Sequence, residues 1–328
     1  LNRTNRLNYG AVGAHIPYLS GRTFVDRTVI EIDGQPVAAD VVQQVREEVT
    51  IDQLGLIGEY PLSLNRRFEA SAYFTRQDFD REVDEVIFVG GQPIARDQRT
   101  LPSPEGVSLY QGSVAFVQDT SFFGFTSPVR GSRYRLEVGS VGGDLSFQTA
   151  RVDLRRYFWA RPVTFALRGF HYGRYGGDAD SDRLSPLFVG RETLVRGYDV
   201  DSFSVAECTQ TPDSGCIEFD RLVGSRVGVF NFEIRLPLLG NEQLGLIDFP
   251  YFPTDLVAFV DAGVAWNEGD SPEFDFDEES LERVPVVSAG LSLRTIVLGY
   301  FPVEFYLAYP FQRPQEDAVF GFVIAPGW

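Results

Sequence analysis

The stretch "RVGVFNFEIRLPL", residues 226 to 238, sorts its side chains into two sets. Phe230, Phe232, Ile234, Leu236 and Leu238 alternate with Asn231, Glu233 and Arg235. Successive side chains of a strand point to opposite faces, so this strand has one oily face and one charged face.

The same alternation recurs along the chain. "ARVDLRRYFW" sets Val152, Leu154 and Phe158 against Arg151, Asp153, Arg155 and Tyr157. "RFEASAYF" sets Phe68 and Phe74 against Arg67, Glu69 and Tyr73, and "SAGLSLRT" sets Leu291 and Leu293 against Ser292 and Arg294. A soluble β-sandwich also alternates. Here, however, the polar face carries Arg, Glu and Asp in mid-strand, while the other is rich in Phe and Tyr. Charges of both signs suit a water-filled lumen; aromatics suit lipid and its interfaces. The fold class read from this pattern is all-β, a transmembrane antiparallel β-barrel.

About twelve strands are expected, roughly at 5–15, 48–60, 66–76, 108–123, 133–140, 147–159, 162–175, 224–238, 255–266, 284–298, 302–310 and 318–328. Most are near the length a tilted strand needs to cross a bilayer. Short connections at "LSLNRR", "SPVRGS", "WARPV" and "GYFPV" contrast with long ones near 17–47, 77–107, 176–224 and 267–283. Outer-membrane barrels show that asymmetry, with short periplasmic turns and longer outside loops. The segment 37–47, "VAADVVQQVRE", is expected to form a short helix in the first long loop.

Composition narrows the class. The chain has 328 residues, 44% hydrophobic and 14% aromatic, which excludes disorder. No apolar run reaches the length of a membrane-spanning helix. A mean hydropathy of −0.10 is compatible with a barrel, in which every second residue faces the lumen. Net charge is −17, and the 29 basic residues are all Arg; nothing resembles a basic nucleic-acid surface. There is no Met, hence no initiator or signal peptide, and "LNRTNR" reads as a polar turn, so the chain is expected to be a C-terminal piece of a longer protein. His15 and His171, the only histidines, sit in no catalytic pattern, and no phosphate loop or metal-ligand spacing occurs. No enzymatic activity, cofactor or metal is expected.

Cys208 and Cys216 lie in the long loop at 176–224, with Pro212, Asp213 and Gly215 between them. They read as a small disulfide loop facing an oxidising exterior, with two unpaired thiols as the alternative. At the chain end, "FGFVIAPGW" places Phe320, Phe322, Ile324 and Trp328 on one face. A soluble β protein has no reason to end on an exposed Trp. Pro326 lacks the N–H a ladder bond needs, so pairing weakens there.

The loop at 176–224 also contains "LVRGYD", Leu194 to Asp199. With it, four motifs resemble the C-terminal barrel of the bacterial surface antigen family, the BamA/TamA-type outer-membrane assembly and translocation proteins. "LVRGYD" is similar to that family's Arg-Gly-aromatic motif, here Val195, Arg196, Gly197 and Tyr198, at the tip of a loop folded into the barrel. "FNFEIRLPL" and "AFVDAGVAW" resemble the strands that follow, with inward Glu233 and Asp261, and "FYLAYPFQRPQEDAVFGFVIAPGW" resembles the last hairpin. The likeness covers roughly 145–328.

The resemblance implies a sixteen-stranded barrel, so four N-terminal strands and the soluble N-terminal domains are expected to be missing from 1–328, a smaller barrel being the alternative. It implies residence in the bacterial outer membrane, among lipid and lipopolysaccharide. It implies client outer-membrane or secreted polypeptides and periplasmic accessory proteins as partners, and insertion or translocation through a weak barrel seam without covalent chemistry. The alternative is a passive pore or ligand-binding barrel. Arg196 is expected to fork onto Glu233 and Asp261. Hydrophobic burial is not expected to hold the loop in an aqueous lumen, and water screening is expected to limit the ion pairs to about 1–3 kcal/mol.

Overall fold

The computed structural model describes residues 6–32, 35–204, 207–208, 216–273, 283–313 and 316–324. Twelve wall strands run in chain order: β1 Asn8–Ile32, β2 Gln35–Ser63, β3 Arg66–Val89, β4 Val107–Asp119, β5 Pro128–Gly143 and β6 Phe147–Ala160; then β7 Val163–Tyr175, β8 Arg226–Gly240, β9 Thr254–Trp266, β10 Val286–Val297, β11 Phe301–Pro310 and β12 Val319–Ile324. Each pairs antiparallel with the next in a single sheet. This is the antiparallel transmembrane β-barrel wall that the alternation implies. Short strands at Gln92–Thr100, Phe122–Phe123 and Ile247–Asp248 flank β3, β5 and β8.

The sheet curls on itself. Arg235 on β8 donates to the Pro128 carbonyl on β5, two strands away from its neighbours, at 3.1 Å. Thr126, in the turn before β5, donates to Asp255 on β9. Side chains sort by face. Phe230 is 51% exposed and Leu291 57%, on the outside, whereas Asn231, Glu233, Arg235 and Asp261 are buried within.

The first hairpins differ from expectation. Residues 17–47 and 77–107 are not long loops, and 37–47 is not a helix. β1 and β2 pair continuously from Asn8↔Glu59 to Ile32↔Gln35, and β2 with β3 from Asp40↔Phe88 to Pro61↔Arg67 without a bulge. The expected strands 5–15, 48–60 and 66–76 therefore continue far past the bilayer. Val37, Val41 and Val45 explain the misread helix, because a spacing of four fits one helical stripe and equally every second inward position of a strand.

The sidedness of β2 and β3 reverses at one height. Leu54 and Phe74, which are paired, close the oily outward band. The next outward row is His15, Asp52 and Arg76, also cross-strand neighbours, with a 2.6 Å bond between His15 and Asp52. Charged outward positions mark the upper limit of the hydrocarbon.

Phe320, Phe322 and Ile324 stand exposed on β12, and Phe322 stacks on Phe305 of β11. Trp328 lies outside the described residues. The tips of the 176–224 and 267–283 loops are described only in part.

Candidate functional site

The loop between β7 and β8 folds inward, and its Arg-Gly-Tyr motif meets the wall formed by β8 to β11. Arg196 makes a fork onto Asp261, Nε to Oδ2 at 2.7 Å and Nη2 to Oδ1 at 2.9 Å. Its Nη1 lies 3.0 Å from Glu233 and donates to Glu304 at 2.7 Å. The guanidinium also rests on the Phe259 ring, 3.6 Å from the centroid. A planar cation with five donors can satisfy carboxylates at its edge and an aromatic plate on its face; an ammonium cannot do both.

The cluster extends past the two acceptors legible in the sequence. Arg294 on β10 binds Glu304 at 2.7 Å and Glu233 at 3.2 Å. Arg235 binds Glu233 at 2.7 Å. Asn231 donates to Asp261 and to the Leu194 carbonyl, tying the loop backbone to the wall. Ser292 donates to Glu304. Three arginines thus face three carboxylates, all at most 3% exposed. The charges cancel, and each carboxylate is held by more than one donor, which burial of an ion requires.

Burial corrects the energy expected from sequence. Water does not screen this site, so each ion's worth lies in the penalty its loss would leave behind. Burial by itself would depress the Arg196 guanidinium; attraction to Asp261 and Glu233 outweighs it and holds the group well above its ordinary value. Arg196 is charged at every accessible pH.

Burial corrects a second expectation. Hydrophobic contact does hold the loop. Val189, Val195, Tyr198 and Leu222 from the loop pack with Val227, Val229, Ala265 and Val286 from the wall. Gly263 admits them, since a Cβ there would lie 2.6 Å from both Val189 and Val195. A dry patch forms inside an otherwise polar lumen because the loop brings its own apolar side chains to cover the wall's.

Gly197 adopts φ +88, a conformation costly for any residue with a Cβ, and a Cβ there would lie 2.9 Å from that of Ala308. Its turn sends Arg196 and Tyr198 to separate places. The Tyr198 hydroxyl lies 2.8 Å from Gln312 Oε1 and 3.0 Å from the Val287 carbonyl, and it accepts the Gln312 N–H. Burial pushes its ionisation well up, so it stays a neutral donor. Past β11, Arg313 binds the Gly197 carbonyl, the Ser202 carbonyl and Glu207, and rests 4.0 Å over Phe203. Arg313 fastens the far side of the motif, and neither it nor Glu207 was singled out by sequence.

Cys208 and Cys216 form a disulfide in the outer part of the loop.

Asp199 accepts from the Tyr306 hydroxyl on β11. Burial raises its pKa from 3.8 to about 6, and the Tyr306 hydrogen bond pulls it back only in part. An acid raised on folding stabilises the docked loop while protonated. That contribution is complete below pH 3.8 and is lost as pH rises to about 6. Protease resistance of the loop should therefore fall between those limits in the wild type relative to an Asp199→Asn variant. Parallel pH profiles for the two proteins would show that Asp199 does not couple to docking.

Among known proteins, the Omp85 superfamily domain matches residues 106–327, which includes the whole loop and every strand that meets it. No curated protein matches. Solved structures similar to this chain include BamA from Haemophilus ducreyi lacking POTRA domains 1–3, at 13% identity and a TM-score of 0.46 over 97% of this chain and 69% of that one. CdiB from Acinetobacter baumannii is similar at 14% identity and the same TM-score, over 97% of this chain and 56% of that one.

Proposed function

The chain belongs to the Omp85 superfamily, and on that premise we propose that it works in the bacterial outer membrane, assisting the assembly or translocation of other polypeptides in the manner of the BamA/TamA type. The observation that carries this reading is the Arg-Gly-Tyr loop fixed inside the barrel by a buried, charge-balanced ion cluster. In a passive pore an inward loop would set the width and selectivity of the channel; here it is tied to the wall at Arg196 and Tyr198, with Arg313 fastening its far side.

The action needs an edge rather than a covalent step. A sheet edge presents unpaired N–H and C=O groups that can template an incoming strand. The described part of β12 spans only Val319–Ile324, against Phe301–Pro310 for its partner β11. The outer face of β12, Phe320, Phe322 and Ile324, stands in the lipid zone. The docked loop braces β8 to β11 beside that edge, since Arg196 binds Glu233 on β8, Asp261 on β9 and Glu304 on β11, and Tyr198 binds the Val287 carbonyl on β10.

A vesicle assay tests the reading. The full chain is reconstituted in phospholipid vesicles, and a urea-unfolded outer-membrane barrel protein is added. The inserted fraction is read from its heat-modifiable gel mobility. We expect insertion about tenfold faster than in empty vesicles, a barrier lowering of some 1.4 kcal/mol. Equal rates would overturn the proposal, and so would ohmic conductance that survives deletion of 176–224 unchanged.

A further inference from the structure

Beside the docked loop, the lumen keeps a cavity of about 380 Å³ between the loop and the wall of β6 to β8. Arg151 of β6, Arg168 of β7 and Arg191 of the loop line it, and among the described residues of its lining there is no carboxylate. Much of the remaining lining is apolar or aromatic, with Phe170 and Tyr172 from β7 and Phe188 from the loop. These three rings are the fringe of the hydrophobic dock.

The register gathers the cations. Arg151 pairs with Tyr172 and Arg155 with Arg168, on the lumen side that buries Asp153 and Ala166. The neighbouring carboxylates are already engaged. Arg155 forks onto Asp153, Nε to Oδ1 at 2.8 Å and Nη2 to Oδ2 at 2.7 Å, whereas Arg168 reaches the same group only at 3.4 Å. Glu137, opposite Arg151 on β5, is held by Arg135 at 2.7 Å. Glu192 follows Arg191 in the chain but does not line the cavity. Among the described residues, neither Arg151 nor Arg191 has a carboxylate in ion-pair reach. The cluster at Arg196 is balanced; this one is not.

The excess has a cost. The guanidiniums of Arg151 and Arg168 both lie over the Phe170 ring, 5.9 Å and 4.9 Å from its centroid, so like charges stand close with no anion between them. Arg151 Nε is buried without a hydrogen-bond partner, and a buried donor left unmatched is destabilising. One bound anion would remove both costs.

We propose that this cavity binds a small phosphate monoester with an apolar or aromatic body, bridging Arg151 and Arg168 on the wall to Arg191 on the loop. A phosphate monoester carries about −1.5 to −2 charges at neutral pH, which matches the two arginines that lack a carboxylate; a monocarboxylate would neutralise only one. Its oxygens accept from several guanidiniums at once. The aromatic fringe receives the body, and the volume falls in the range of small-molecule sites. The cavity lies on the lumen side of β7, opposite the face on which Phe165 stacks with Phe232, which keeps membrane lipid from it. Because the ligand joins wall to loop, its binding favours the docked loop over the open one.

The test titrates phenyl phosphate into the full chain in phosphatidylcholine vesicles. Binding is read by equilibrium dialysis, and protease cleavage within 176–224 is followed in parallel. One site per chain should saturate, and at ten times the dissociation constant cleavage should slow about tenfold. Arg151→Gln and Arg191→Gln should each weaken binding about tenfold. Arg156→Gln, on the same strand but beside the exposed Phe158, should leave binding unchanged. Inorganic phosphate, which lacks the body, and benzoate, which lacks the second charge, should each bind about tenfold more weakly. Absence of saturable binding overturns the proposal. So does binding that Arg151→Gln leaves intact, cleavage that the ligand does not slow, or equal affinity for phenyl phosphate and either of the two smaller probes.

Discussion

Arg196→Ala is expected to raise protease cleavage within 176–224 about 10²–10⁴-fold while strand content stays unchanged. Three buried carboxylates, Glu233, Asp261 and Glu304, would be left with two arginines, Arg235 and Arg294. An uncompensated charge at such burial costs about 3–5 kcal/mol, which sets the predicted range through the open population of the loop. The valine-rich patch around Val195 and Leu222 persists, so the barrel does not unfold. Arg196→Lys keeps the charge and loses the fork and the Phe259 plate; it should fall between wild type and alanine. An unchanged cleavage rate in Arg196→Ala would show that the ion cluster does not hold the loop.

Glu233→Ala should be as damaging, with opposite charge. Glu233 touches all three arginines and is fully buried. Without it, three guanidiniums face two carboxylates, again a loss of about 3–5 kcal/mol, read as a lowered temperature of the heat-modifiable mobility shift. The double variant Arg196→Met with Glu233→Met removes one charge of each sign. It should cost clearly less than the sum of Arg196→Met and Glu233→Met alone, because neither leaves the other unpaired. Additive losses would mean that the two groups act independently and that charge balance is not what the cluster maintains.

Much of the wall is legible in the sequence because a period of two needs no partner to be seen. "RVGVFNFEIRLPL" states by itself which residues face lipid, and its neighbours in the structure obey. The reading stops where the third dimension begins. Arg294 was seen to point inward, and Glu304 sits in a strand whose limits were right, yet nothing in one strand says at what height its charges stand. Only the ladder does. Arg294 pairs directly with Glu304, and Asn231 with Asp261; those two registers bring the groups to the level of Arg196.

The hydrophobic dock was missed for a related reason. Val189, Val195 and Leu222 lie far apart in a loop rich in Gly, Asp and Ser, with no period to join them. The extensions of β1 to β3 were read as loops because their outward residues, Arg46, Glu48, Arg76 and Asp78, lack the oily phase by which the other strands were recognised. On β2 and β3 the alternation persists with its sign inverted, and an inverted pattern is informative only once the height of the bilayer is known.

The orientation of side chains on β8 is the claim on which lipid face, sealed dock and function all depend. A nitroxide scan from Gly228 to Leu236 in bilayers, read by relaxation with dissolved oxygen and with a water-soluble nickel chelate, measures it directly. Oxygen contact should peak at 230, 232 and 234 and vanish at 231, 233 and 235, with the chelate reaching neither set. Oxygen contact at 231 and 233, or chelate contact at 230 and 234, would contradict the account.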